Sequence, residues 1–157
     1  MRRRILTLTL AVLGIWVHQL ALAGDELCVS LRKFVESVRP NESKVLAFHT
    51  SWGSGFKGSD DELALYAKRC DHGGYDPAKA VCAYLMEHGA VEFSGNDAKK
   101  VVMCLSRNTH FADRLELHRV ELSLTYGTDN RGSIIDIKFV PDEQLGGMVL
   151  SITADGY

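Results

Sequence analysis

Between positions 25 and 38 the apolar residues Leu27, Cys28, Leu31, Phe34, Val35 and Val38 recur at intervals of three and four, the spacing of a single buried stripe on an α-helix. Arg39-Pro40-Asn41 ends that stripe, because the residue before a proline is pushed out of the helical region. Over 44–52 the pattern loosens into an alternation rich in Val, Phe and Thr, which predicts a strand. A glycine-bearing stretch follows, and after it Ser59-Asp60-Asp61-Glu62 has the form of a capping box. In such a box the serine hydroxyl accepts from the amide three residues on, while the glutamate reaches back. On that basis a helix is predicted over 60–69. Asp76-Pro77 supplies an N-cap and a proline at the first helical position for a helix running to about His88, where Gly89 stops it. Ser94 or Asn96 opens a further helix that reaches about Arg107.

From 115 onward the period changes to two. Val120, Leu122, Leu124 and Tyr126 alternate with Glu121, Ser123 and Thr125, and Ile135, Ile137 and Phe139 alternate with Asp136 and Lys138. The intervening Gly-Thr-Asp-Asn-Arg-Gly is a turn composition, so the pair reads as a β-hairpin. Pro141-Asp142 and Gly146-Gly147 punctuate a last strand over 148–153. His118 interrupts the alternation at its start and suggests a bulge. The pattern is α+β: about four N-terminal helices packed on a C-terminal antiparallel β-meander.

The first residues change the picture from fold to compartment. Arg2, Arg3 and Arg4 precede an apolar run from Ile5 to Val17, and Ala21-Leu22-Ala23 is a small-x-small cleavage site, the layout of a secretory signal peptide over 1–23. Cleavage after Ala23 leaves residues 24–157 as one domain, without a membrane span and placed in the periplasm or outside the cell. Without the three leader arginines, 15 Lys and Arg stand against 20 Asp and Glu, a formal charge of −5 with neutral histidines. That balance argues against nucleic acid or an anionic membrane surface as partner.

All four cysteines, Cys28, Cys70, Cys82 and Cys104, fall after the leader, and an even number in an exported domain predicts two disulfides. No CxxC pair suggests redox or zinc chemistry. Cys82 lies six residues before His88 and Cys104 seven after Asp97. In an antiparallel helix hairpin each would stand roughly 9 to 10 Å back from the turn. The expected pairs are therefore Cys82 with Cys104 and Cys28 with Cys70.

Candidate chemistry starts with Gly53-x-Gly55-x-x-Gly58, which has the spacing of a dinucleotide-binding loop. A phosphate site of that type needs a bare helix N-terminus, and here Asp60, Asp61 and Glu62 occupy the first helical turn and would repel an anion. No cofactor is expected. The unusual content of the loop is aromatic: Trp52, the sole tryptophan after the leader, and Phe56, with Lys57 beside it. Either they pack back onto the helices, or they anchor a protein partner or stack on a sugar.

Among the histidines, His49 or His72 could serve Ser51 or Ser54 as a base, with Asp71 or Asp76 behind it, but the GxSxG elbow of a hydrolase is absent. Asp71, His72 and Asp76, or His110 and Asp113, match neither a zinc helix nor a calcium loop, so no metal is expected. His88 sits where an imidazole can support a helix C-terminus. These observations predict an exported binding protein, of the inhibitor or immunity type that blocks an envelope-acting enzyme. Its tentative contacts are Trp52, Phe56, Lys57, Asp60 and Asp61, and its partner another envelope or secreted protein. The competing expectations are a hydrolase of cell-wall or extracellular substrates and an envelope protein binding a small sugar or peptide.

Overall fold

A computed structural model describes residues 23–59 and 64–157, with side chains from residue 26 onward. The expected leader lies outside the described residues except for Ala23, the first residue of helix α1 (Ala23–Ser37). Strands β1 (Ser43–Trp52) and β2 (Tyr66–Asp71) follow, then helices α2 (Asp76–His88) and α3 (Gly95–Leu105). Strands β3 (Val120–Thr128), β4 (Arg131–Pro141) and β5 (Met148–Gly156) come last. The fold is α+β, with three helices among the described residues and one antiparallel sheet in the order β2-β1-β5-β4-β3.

Several of the expectations are corrected. The helix predicted over 60–69 is not formed at its second half, where Tyr66–Asp71 is an edge strand; residues 60–63 lie outside the described region. The Ser59 hydroxyl donates to the Phe56 carbonyl at 2.8 Å, closing a local turn, and its expected capping partner Glu62 lies outside the described residues. The sheet is therefore not a C-terminal meander alone. The β1–β2 hairpin extends it, because β5 pairs with β1 as well as with β4.

The sheet has one face covered and one open. Leu46 and Phe48 of β1, Leu150, Ile152 and Ala154 of β5, and Ile135, Ile137 and Phe139 of β4 are all buried beneath the helices. From above, α1 supplies the expected stripe, Leu27, Leu31, Phe34, Val35 and Val38, each at most 1% exposed. α1 is central in the helical layer, packing on both α2 and α3. Carbonyls at its end and just beyond find partners on β4: Ser133 donates to Val35 O at 2.8 Å and Arg131 to Val38 O at 3.3 Å.

That central position explains why the disulfides differ from expectation. The bonds are Cys28–Cys104, joining α1 to α3, and Cys70–Cys82, joining β2 to α2. Cys82 and Cys104 would be neighbours only if α2 and α3 packed as a hairpin, but each flanks α1 instead. Cys70, on a strand rather than a helix end, lies opposite Phe48 and so faces the helices. The connection from α2 to α3 is closed by Asp97, whose carboxylate accepts the Ala90 amide at 2.7 Å. Burial raises the Asp97 pKa against the opposing pull of Lys100 and the Ala90 amide. His118 precedes β3 in an exposed bend, so no bulge forms there, and His88 is half exposed against the Tyr84 ring at 4.8 Å.

Candidate protein-binding surface

The β1–β2 hairpin ends on an aromatic pair. Trp52 stands opposite Tyr66, and the Gly53 amide donates to the Leu65 carbonyl at 2.9 Å just beyond it. Strand alternation puts Trp52 on the same side as Phe48, but four residues further along, about 13 Å at the rise of a strand. Phe48 is under the helices, where the α2 terminus at Gly89 touches its ring edge. Trp52 is past the cover. It is 58% exposed, Tyr66 58% and Leu65 78%, large apolar groups that a domain core would ordinarily take up.

The rest of the expected binding set is distributed differently. Phe56 is half-buried and lines a shallow depression with Lys68, Met86 and the Cys70–Cys82 bridge. Lys57 is exposed, and its segment is held to the β4–β5 connection: its amide donates to Leu145 O at 2.8 Å and its ammonium to Glu143 O at 3.4 Å. Asp60 and Asp61 lie outside the described residues. Tyr66 and Leu65 fall within the helix predicted over 60–69, where nothing singles them out as contacts. The signal for them was the run of Tyr66, Lys68 and Cys70 at a spacing of two.

A cleft of about 800 Å³ opens on the same side of the same end of the sheet. Phe139 and Met148 line it from the sheet, Phe93 and Asn96 from the start of α3, and Leu115 and Leu117 from the connection to β3. Lys99 donates to the Leu115 carbonyl and ties that connection to α3. Met148 pairs with Thr50, two residues before Trp52 and on the same face, so the strand register carries the apolar surface from the cleft toward the hairpin tip. Phe93, 57% exposed, and Leu115, 41%, add to it.

The open face of the sheet holds the polar candidates. His49 Nδ1 lies 2.6 Å from Asp142 Oδ2, and His49 Nε2 lies 3.4 Å from Asp71 Oδ2. Asp142 also accepts the Gln144 and Leu145 amides at 3.0 and 2.9 Å. Burial acts to raise its pKa, but those amides and the His49 ring outweigh burial, and the carboxyl titrates below the ordinary aspartate range. Asp71 is shared with Arg69, whose guanidinium reaches it at 3.1 Å. Both ring nitrogens of His49 thus face carboxylates. Ser51, two residues along, bonds to Ser54 Oγ at 3.3 Å and Gly55 O at 3.4 Å rather than to His49. Among the described residues no three His, Cys, Asp or Glu side chains gather in a metal-binding group.

The Asp142 geometry has a pH consequence. A carboxyl with a depressed folded pKa contributes stability that is complete above its unfolded pKa, about pH 4, and disappears as the pH falls through the folded value. Asp142→Ala is expected to cost about 2 kcal/mol at neutral pH by orphaning two amides and His49. That deficit should hold down to about pH 4 and shrink as the pH falls further. Urea midpoints of both proteins from about pH 2 to about pH 7 check it, and a deficit independent of pH would contradict it.

No family model, curated protein or solved structure matches this chain. No helix among the described residues is long and apolar enough to cross a membrane, and the two disulfides are compatible with an exported protein.

Proposed function

We propose that the protein is an exported binding protein of the inhibitor or immunity type, which blocks an envelope-acting enzyme by placing the β1–β2 tip in that enzyme's cleft. The observation that carries this is the cross-strand pair of Trp52 and Tyr66, each more than half exposed, with Leu65 beside it at the end of the β1–β2 hairpin. Tryptophan and tyrosine are the residue types that concentrate binding energy in protein interfaces. The connection between the two strands contains Asp60, Asp61 and Glu62 in sequence, and the chain after the leader is acidic, so the complementary cleft is apolar with a basic rim.

A panel of purified envelope hydrolases, assayed on cell-wall sacculi and lipid vesicles, tests the proposal. One member should lose activity in the presence of the protein, and Trp52→Ala/Tyr66→Ala should weaken that inhibition about 100-fold while leaving the thermal midpoint unchanged. Equal inhibition by the double variant, or inhibition of no hydrolase, would overturn it.

The cleft beside Phe139 and Met148 favours a second function, capture of a small sugar or peptide. Wall fragments titrated against the protein alone would then change Trp52 emission without a protein partner. A hydrolase based on His49 has less support, since no ring nitrogen is left directed at Ser51.

A further inference from the structure

β3 is an outer strand, and among the described residues it pairs with β4 alone. Gly132 exchanges both backbone bonds with Tyr157 on the β5 side. Its β3 partner Gly127 therefore turns its own N–H and C=O outward, and by alternation so do Thr125, Ser123 and Glu121. Sheet edges in soluble proteins are normally blunted by brevity, lysine, proline or a bulge. β2, the opposite edge, is only 6 residues long and carries Lys68 and Arg69. β3 has 9 residues, pairs with β4 without interruption, and contains neither lysine nor proline. Its inward side chains Val120, Leu122, Leu124 and Tyr126 are half-buried at the margin of the core.

We propose that this edge pairs with the same edge of a second copy of the chain, antiparallel about a two-fold axis at Ser123, so that two five-stranded sheets become one continuous sheet. The sequence of β3 is self-complementary about that residue. The axis at Ser123 sets Leu122 beside Leu124 of the second copy and Val120 beside its Tyr126. Glu121 faces Thr125 and Arg119 faces Gly127, with Asp129 of the second copy diagonal to that arginine. Other centres fit less well. An axis at Glu121 opposes two carboxylates, one at Leu122 leaves Tyr126 without an opposite residue in the strand, and one at Leu124 puts Val120 against Thr128. The interface is isologous and closes on itself, consistent with a soluble dimer rather than a fibre.

Sedimentation of the full protein over a range of concentrations should show a monomer–dimer equilibrium with a Kd of about 1 to 100 μM, as expected for an interface smaller than the standard size. Thr125→Pro removes one outward amide at an edge position that tolerates proline, and should leave a monomer with an unchanged fold by circular dichroism. Ser123→Cys provides the independent check. On the axis the two substituted residues face each other at about 5.5 Å between Cα atoms, within disulfide range, so mild oxidation should cross-link this variant and not Thr125→Cys. A protein monomeric up to about 1 mM, a dimer that survives Thr125→Pro, or cross-linking of Thr125→Cys as efficient as that of Ser123→Cys would each overturn the proposal.

Discussion

Replacing Cys28 and Cys104 together by alanine should cost about 4 kcal/mol of unfolding free energy, and replacing Cys70 and Cys82 about 3 kcal/mol. The ranking comes from the unfolded chain. A cross-link restricts the denatured ensemble more as the loop it closes lengthens, and the two bridges span 76 and 12 residues. Location reinforces the ranking. Cys28–Cys104 holds α1 against α3, with Cys104 in the main core cluster, whereas Cys70–Cys82 ties an edge strand to α2. Guanidinium titrations of the two double variants, compared at equal m-value, measure both costs, and a larger loss from the short bridge would reverse this account. Peptide mapping without reduction should recover Cys28 joined to Cys104, which also separates the observed pairing from the one the helix spacing suggests.

The second large effect is expected at Gly147. Its φ is +76°, a region that L side chains enter at a cost of about 1 to 2 kcal/mol. A Cβ there would also stand 2.0 Å from the Thr50 carbonyl oxygen and 2.8 Å from the Ser51 Cα, both backbone atoms of β1. Neither atom can retreat without parting β1 from β5. Gly147→Ala is therefore expected to cost about 3 kcal/mol or more, with loss of the Asp142 amide bond to Gly147 O as a local sign. Gly146→Ala is the control. Its φ is +80°, but its Cβ would meet only the flexible Lys57 side chain at 3.4 Å, so about 1 kcal/mol is expected. Thermal midpoints of the two variants differ strongly if backbone collision dominates and coincide if φ alone matters.

What could be read from the sequence was what is local in the chain. The stripe from Leu27 to Val38, the position of the α2 start and its Gly89 stop, and the alternation of β3 and β4 are each local, although the α2 N-cap is Tyr75 rather than the expected Asp76 and makes no side-chain cap bond. β2 left a weaker record. Of its helix-facing positions, Tyr66 is exposed beyond the helices, Lys68 sends its ammonium to Met86 O at 3.1 Å, and Cys70 is bonded to Cys82. None marks the strand as an apolar alternation would, and the Ser59 box offered a helix in its place. The partners of His49 were equally hidden. Asp142 is 93 residues away, brought near only because β5 lies between β1 and β4. Trp52 was identifiable as unusual, but its exposure depended on where α2 stops above Phe48, a tertiary fact.

The position of β5 also bears on when the molecule can become itself. β1–β2 and β3–β4 are hairpins that each form from neighbouring chain, yet they share no edge; the strand that joins them, β5, follows both in the chain. While synthesis proceeds, therefore, the sheet exists only as two separate ribbons, neither of which is stable alone in water. A polypeptide ordered in this way stays pliable until β5 emerges. The arrival of β5 is then the event that closes the sheet.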